Sequence, residues 1–469
     1  MISRTRTLIL IPILILLLSC QTVIRVVQPT FTATHQPPTI DKPIIPSATL
    51  HTAASITPTS TIFPIAKKTS SPTPLKDYTS TPEPIFTPSQ LQLDIFEELW
   101  QIINDEYLYA DFNGLDWNAI YEEYSELVKA GMSTEEFYLS MDEMISRLGD
   151  DHSIYLSPEE AAEDDAQYSG NNNYVGIGVL ALAVPERDRA VIILTFPNSP
   201  ADLAGLKSHD IILTVDGEPV IDEDGFIHDI IRGPEGSELV LTVQTPGEQS
   251  RQVEVTRRRI MGAIPVPYQV LSSPEGQRIG YILLVTLGDR TIDEQVESAL
   301  LIMNEQEQLD GLILDNRQNE GGADDVLIST LSYFTEGTMG FFTSRDQERS
   351  LYIEGRDIAG SQKIPLVLLI GIDTVSYGEI MSGVLKDNGR AYLIGETTAG
   401  NVETLWGYEF PDGSRAWIAH ESFRPYNHPE DDWEANGIMP HQMARTNWDE
   451  ITINHDLAVT AALSYLDSK

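Results

Sequence analysis

From Ile279 onward the chain repeats one pattern, a short uninterrupted apolar run followed by a stretch of helical periodicity. The runs are IGYILLV, GLILD, PLVLLIG and AYLIG, and between them lie TIDEQVESALLIMNE, ADDVLISTLSYF and SYGEIMSGVLKD. A strand that is apolar at every position has to be covered on both faces, and helices placed between such strands are the covers. This part of the chain is therefore expected to be α/β.

Two loops that follow strands in this region carry chemistry. DNRQNEGG, Asp315 to Gly322, comes after GLILD and opens a helix, and its glycines let backbone N–H groups approach an anion there. GIDTVSYGEI lies between PLVLLIG and the next helix. A serine at a strand-to-helix turn, here Ser376, can point its hydroxyl outward while the next N–H, that of Tyr377, faces the oxyanion of a tetrahedral intermediate. The same residue also suits an ordinary helix N-cap.

Upstream, Phe96, Trp100, Ile103 and Tyr107, with Ile95, Leu99 and Ile102, fall at helical spacing. Further helical stretches around Ala119 to Lys129 and Thr134 to Arg147 lead into LGDDHSIYL, where His152 is either a turn residue or a base. Tyr174 to about Arg257 has short β-branched strands and turn signals such as Asp216-Gly217. Met1 to Cys20 has Arg4 and Arg6 ahead of an apolar run, Leu8 to Leu18, that is too short to span a bilayer and has the layout of a signal peptide. Gln21 to about Gln90 is dominated by Pro, Thr and Ser and is expected to be a disordered tether. Cys20 is the only Cys, which excludes an intrachain disulfide and a catalytic thiol elsewhere. With 30 Lys+Arg against 71 Asp+Glu, a net charge of −41, nucleic acid is not an expected partner. No metal-ligand spacing such as HExxH occurs, and neither a metal nor a cofactor is expected.

The β-rich module resembles a PDZ domain, most closely over SPADLAGLKSHDIILTVDG, with His209 where a Gly is usual. That resemblance assigns capture of a peptide's free C-terminus to Tyr174, Val175, Gly176, Ile177 and Gly178. LLSC, ending at Cys20, resembles the lipobox of bacterial lipoproteins, which implies lipidation of Cys20 and an extracytoplasmic chain anchored to the cell membrane. Taken in order, the helical segment, LGDDHSIYL, the PDZ-like module, ILDNRQNEGG, VSYGEI, YLIGETTAGN and NGIMP resemble the carboxyl-terminal processing peptidases, or tail-specific proteases. The resemblance implies a crotonase/Clp-like α/β peptidase core, an N-terminal helical region and an inserted PDZ domain. The expected boundaries are 1–20 for the signal peptide, 21–90 for the linker, 91–170 for the helical region, 171–260 for the PDZ domain and 261–469 for the core.

It also implies Ser376 as nucleophile and an oxyanion hole from the backbone of Tyr377 and of Gly321 or Gly322. One branch of the family uses a Lys about 25 residues after the nucleophile as base, but that position is Asn401, whose amide accepts no proton near neutral pH. Lys386 stands in a helix expected to direct it away. GETTAG resembles the tricorn core protease branch, which places the base on His152 and its orienting carboxylate on Glu434, with Ser153 and Asn401 as supporting groups. His420, in WIAHESFRP, is an alternative base, and Asp150 or Asp151 an alternative orienter. The implied activity is that of an exported, membrane-tethered serine endopeptidase acting on polypeptides through an acyl-enzyme. A peptide-binding lipoprotein that keeps the fold without activity is the alternative.

Overall fold

The apolar runs form the central sheet. Arg278–Leu283, Gly311–Asp315, Leu366–Ile370 and Tyr392–Gly395 are neighbouring parallel strands, with antiparallel Tyr268–Ser272 at one edge and Gln442–Met443 at the other. Side chains alternate between faces along a strand. Leu312 and Leu314 accordingly enter a core under the helices Ile292–Asn304, Asp324–Ser332 and Tyr377–Asp387, whereas Ile313 packs with the helix Leu457–Leu466 on the other face. Both faces are covered, as the unbroken apolar runs require. The computed structural model describes residues 87–469 apart from Asp151, Glu223, Asp224 and the side chain of Asp229. The apolar leader, Cys20 and the Pro/Thr/Ser tract up to residue 86 lie outside the described residues. Among those described, no helix is long and apolar enough to cross a membrane.

A second sheet is antiparallel and has Arg415–Pro425 as its hub. That strand pairs with Gly337–Thr343, with Thr404–Glu409 and with Ile154–Leu156, the strand that leaves LGDDHSIYL. The helices Gln90–Glu106, Trp117–Ala130 and Thr134–Ser146 pack on it through Ile95, Leu99, Ile103, Tyr124 and Ile145, which share one core with Leu405, Trp417, Ile418 and Ala419. The third helix starts at a reciprocal cap between Ser133 and Glu136, which satisfies two amides that would otherwise be left unpaired.

The β-rich module has its own core and five main strands, ordered Val179–Val184, Arg189–Thr195, Ile211–Val215, Glu238–Gln244 and Arg251–Thr256. Val179–Val184 has only one neighbour in that sheet and leaves its other edge open. The stretch expected to hold a peptide terminus is divided. Tyr174, Val175 and Gly176 belong to Asn172–Gly176, which pairs with Arg258–Gly262 where the chain enters and leaves the module. Only Ile177 and Gly178 turn into the open edge strand. At Gly178, φ is +78° and a methyl would lie 2.4 Å from Ser199 Cβ, so this turn requires glycine. The turn at His209 forms with φ +71°, a left-handed backbone that costs a non-glycine residue about 1–2 kcal/mol. Its imidazole stacks on Trp448, ring centroids 5.8 Å apart, which joins the module to the core and offsets that cost.

Candidate active site

Ser376 sits between the strand Leu366–Ile370 and the helix Tyr377–Asp387 with φ +54° and ψ −129°, a backbone that a non-glycine residue adopts only where its surroundings enforce it. Three contacts do so. The Ser376 N–H donates to Asn401 O at 2.7 Å, the Val375 N–H donates to Asn319 O at 3.0 Å, and the Ser376 carbonyl accepts the Glu379 N–H at 2.9 Å. The hydroxyl makes no capping bond to the helix, so an N-cap role does not account for the residue. Tyr377 N–H is the first of that helix and has no intrahelical acceptor.

The loop DNRQNEGG comes against this serine. A methyl built on Gly321, where φ is +91°, would stand 2.7 Å from Ser376 Cβ and 3.0 Å from both Ser376 Oγ and Tyr377 N. The Gly321 N–H donates to Asn319 Oδ1 at 2.9 Å. At Gly322 a methyl would lie 1.9 Å from the carbonyl carbon of Leu287, so the loop crosses that backbone without room for any side chain. Arg317 anchors the loop from below. Its fully buried guanidinium lies 2.6 Å from Asp315 and 2.7 Å from Asp456, and these carboxylates hold it charged despite its burial.

Glu379, on the first turn after Ser376, ties the helix to GETTAGN. Its carboxylate accepts from Thr398 Oγ1, from Gly400 N at 2.9 Å and from Asn401 N at 2.8 Å. Burial pushes its pKa up to about 7, against the pull of those three donors. Asn401 is thus clamped by its N–H on one side and holds the Ser376 N–H with its carbonyl on the other. The next two residues reach the histidine. Val402 N–H donates to Glu434 Oε2 at 2.7 Å, and Glu403 Oε1 accepts the Tyr109 hydroxyl. The remaining oxygens, Glu434 Oε1 and Glu403 Oε2, each lie 3.8 Å from His152 Nε2.

His152 is 7% exposed and sits in a turn built by Asp150, whose Oδ1 accepts from His152 N at 3.1 Å and Ser153 N at 2.6 Å. Burial works against a charged ring, but Glu434, Glu403 and Asp150 outweigh it and hold the imidazole pKa above its ordinary value. Burial likewise pushes Glu403 up to about 6, with His152 opposing. These groups border a cavity of about 220 Å³ lined also by Tyr109, Gly149, Gly400 and Asn401.

Fold and loops therefore bring His152 to Glu434 and tie both, through residues 400–403, to the backbone of Ser376. Ser153 is placed differently from expectation. Its hydroxyl bonds Asp150 Oδ2 at 3.1 Å and accepts the Ala419 N–H at 3.0 Å, fastening the turn to the hub strand. Asp150 shapes the turn, and Asp151 lies outside the described residues. His420 is occupied elsewhere, with Nδ1 2.8 Å from the Glu106 carbonyl and its ring stacked on Trp406 at 4.0 Å. Lys386 is engaged with the Met439 carbonyl, its Nζ donating at 2.8 Å. Sequence reasoning missed Glu403, Tyr109 and Glu379. The first two stand in no local pattern, while Glu379, three residues after a strand-to-helix serine, occupies a position from which a helix residue reaches its own N-terminal loop.

The sequence profile of peptidase family S41 matches residues 278–443, that of the tricorn protease C1 domain residues 92–146 and that of the PDZ domain residues 197–245. The chain is similar to the carboxyl-terminal-processing protease of Synechocystis sp., 30% identical over 395 residues that cover 81% of this chain and 89% of that protein. It is also similar to the carboxy-terminal processing protease CtpB of Bacillus subtilis, 26% identical over 58% of this chain and 55% of that one. Among solved structures, the photosystem II D1 C-terminal processing protease shares the fold, with a TM-score of 0.54 and 24% identity over 80% of this chain and 98% of that one.

Proposed function

Since the chain belongs to the carboxyl-terminal processing proteases of peptidase family S41, serine peptidases that cleave near polypeptide C-termini, we propose that Ser376 is its nucleophile, His152 its general base and Glu434 the carboxylate that orients the base. The observation that carries this reading is the chain of contacts through residues 401–403. One short loop holds the Ser376 amide and the Glu434 carboxylate, and Glu434 stands 3.8 Å from the His152 ring.

In the proposed reaction His152 removes the Ser376 proton as Oγ bonds to the scissile carbonyl carbon. Tyr377 N–H, with Gly322 N–H as the second donor because Gly321 N–H serves Asn319, receives the developing oxyanion. His152 then returns the proton to the departing amine as the C–N bond breaks, and water hydrolyses the acyl-enzyme by the same base. Nε2 faces the carboxylates, so Nδ1 is the nitrogen assigned to the serine proton. Separations of 3.8 Å exceed a hydrogen bond and tighten when substrate fills the site. The open edge strand Val179–Val184 and the Ile177-Gly178 turn receive the substrate's free C-terminus by strand addition. On this reading the mature protein is exported and tethered at the membrane by lipidated Cys20, with the Pro/Thr/Ser-rich linker 21–90 as spacer.

A serine-directed fluorophosphonate tests this reading. Wild type becomes labelled, Ser376→Ala does not, and His152→Ala and Glu434→Gln each slow labelling about a hundredfold or more. Folded wild type that resists labelling overturns the enzyme reading in favour of the inactive peptide binder.

A further inference from the structure

The two carboxylates that face His152 are arranged in a way that a catalytic triad does not need. A triad uses one carboxylate on the histidine, whereas here Glu403 Oε2 and Glu434 Oε1 both lie 3.8 Å from the same nitrogen, Nε2, and the three atoms lie within 4.8 Å of one another. An N–H cannot bond either oxygen at that distance, let alone both. Each carboxylate spends its other oxygen on a fixed donor, Glu403 on Tyr109 and Glu434 on Val402 N–H, which aims the free oxygen inward. Glu403 is 3% exposed, and its Oε2 is buried with no hydrogen-bond partner. A buried carboxylate oxygen that no donor hydrogen-bonds is costly, and the His152 ring at 3.8 Å stands too far away to supply that bond.

We propose that His152 Nε2, Glu403 Oε2 and Glu434 Oε1 form a binding site for a divalent transition-metal cation such as Zn2+, and that occupancy silences the peptidase. Zn2+ takes imidazole nitrogen and carboxylate oxygen at about 2.0–2.2 Å, which in a tetrahedron sets ligand atoms about 3.4 Å apart. Each imidazole–carboxylate pair at 3.8 Å has to close by about 0.4 Å, and the two carboxylate oxygens, within 4.8 Å of each other, draw together toward a cation that also removes their repulsion. Two carboxylates and a neutral imidazole balance the ion's charge, and Tyr109 and Val402 N–H are the outer groups that orient ligands at such sites. The adjoining cavity of about 220 Å³ has room for a fourth ligand, a water. A neutral imidazole has one basic lone pair. Given to the metal at Nε2, it leaves Nδ1 carrying the proton and unable to take one from Ser376. This second effect rests on His152 being the base; the binding does not.

The test is calorimetric titration of ZnCl2 into the full chain, with Co2+ absorption as a check of coordination geometry. Wild type is expected to bind one equivalent at micromolar affinity, with the intense visible bands of four- or five-coordinate Co2+. Glu403→Gln weakens binding tenfold or more, and so does Glu434→Gln, which alters a less buried residue if Glu403→Gln fails to fold. Zn2+ is expected to block fluorophosphonate labelling of Ser376 in wild type, and a chelator to restore it. Equal affinity in wild type and both variants, or only the weak bands of octahedral Co2+, overturns the site. Glu403-dependent binding that leaves labelling unchanged upholds the site, overturns the silencing and removes His152 as base.

Discussion

Gly321→Ala isolates the contact between the glycine loop and Ser376, the proposed nucleophile. The added methyl would lie 2.7 Å from Ser376 Cβ, where carbon atoms ordinarily stand about 3.5–4.0 Å apart, so one of the two backbones has to move by roughly 0.8 Å or more. The left-handed φ of +91° adds about 1–2 kcal/mol. Ser376 is the partner that gives way less easily, because its amide, its carbonyl and its neighbour Val375 are all hydrogen-bonded. Displacement of about 1 Å at a reacting centre costs about 10²-fold in rate, and disturbing an oxyanion donor costs about 10²–10³-fold. Gly321→Ala is therefore expected to lower the second-order rate of fluorophosphonate labelling by about a hundredfold or more, with a stability loss of about 2–3 kcal/mol and a Tm drop of only a few degrees. The measurement pairs labelling kinetics with thermal unfolding of the same preparation. Gly322→Ala is the control. Its methyl would lie 1.9 Å from the Leu287 carbonyl carbon, a distance no adjustment of side chains relieves, and the variant is expected to accumulate unfolded. A folded Gly321→Ala protein labelled within about threefold of the wild-type rate would refute the placement of this loop against Ser376.

Glu379→Gln replaces one acceptor oxygen with an N–H2 that must face a backbone N–H of Gly400 or Asn401, an expected loss of about 1.5–3 kcal/mol together with slower acylation. Because burial raises the Glu379 pKa to about 7, above its unfolded value, its contribution to stability is fully present below the unfolded pKa and is lost as pH rises through about 7. Thermal unfolding of wild type from pH 5 to 9 should show that decline, and Glu379→Gln should flatten it; identical profiles reject the assignment. His420→Ala should keep labelling within about threefold of wild type while losing about 1–3 kcal/mol for its contacts with Glu106 and Trp406; loss of labelling in folded protein would move the base to His420. Trp448→Ala removes the surface against which His209 stacks and one over which Arg317 lies at 4.7 Å, an expected cost of about 3–5 kcal/mol, read as faster hydrogen exchange in residues 189–215. Unchanged exchange there would show that the module is anchored by other contacts.

The parallel sheet was legible because its strands are buried on both faces. Gly311–Asp315 reads as apolar from end to end and so announces its own environment. The antiparallel sheet was not. Arg415–Pro425 mixes Arg415, His420 and Glu421 with Trp417 and Ile418, and its polar members draw on distant partners such as Asp164 for Arg415 and Arg349 for Glu421. The site divides in the same way. Ser376, Gly321 and Gly322 stand in loops that directly follow apolar strands and open helices, a placement that can be read along the chain. Glu403 has no such mark, since its depth comes from Tyr109 and His152, nearly 300 and about 250 positions upstream. Tyr174 to Gly178 looks like one stretch in the sequence because alternating small and apolar residues do not reveal that Arg258–Gly262 returns to pair with its first half.

The proposed use of His152 as base in place of a downstream lysine changes what the site depends on. Position 401 lies on a loop fixed within the α/β core by Glu379, so a base there would need that core alone. His152 reaches the same place from a separate layer, carried by a turn that continues into Ile154–Leu156 and pairs with residues 415–417 of the hub strand. The bond from Ala419 N–H to Ser153 Oγ and the apolar core shared by the N-terminal helices and Trp417, Ile418 and Ala419 complete that attachment. On the proposed reading the base is thus supplied by the packing of one layer on another, while Asn401 is the backbone joint that holds the Ser376 amide. Damage to that packing far from Ser376, for instance at Leu99 or Ile103, should lower activity before it unfolds the core, because the histidine's layer can loosen while the parallel sheet stays intact.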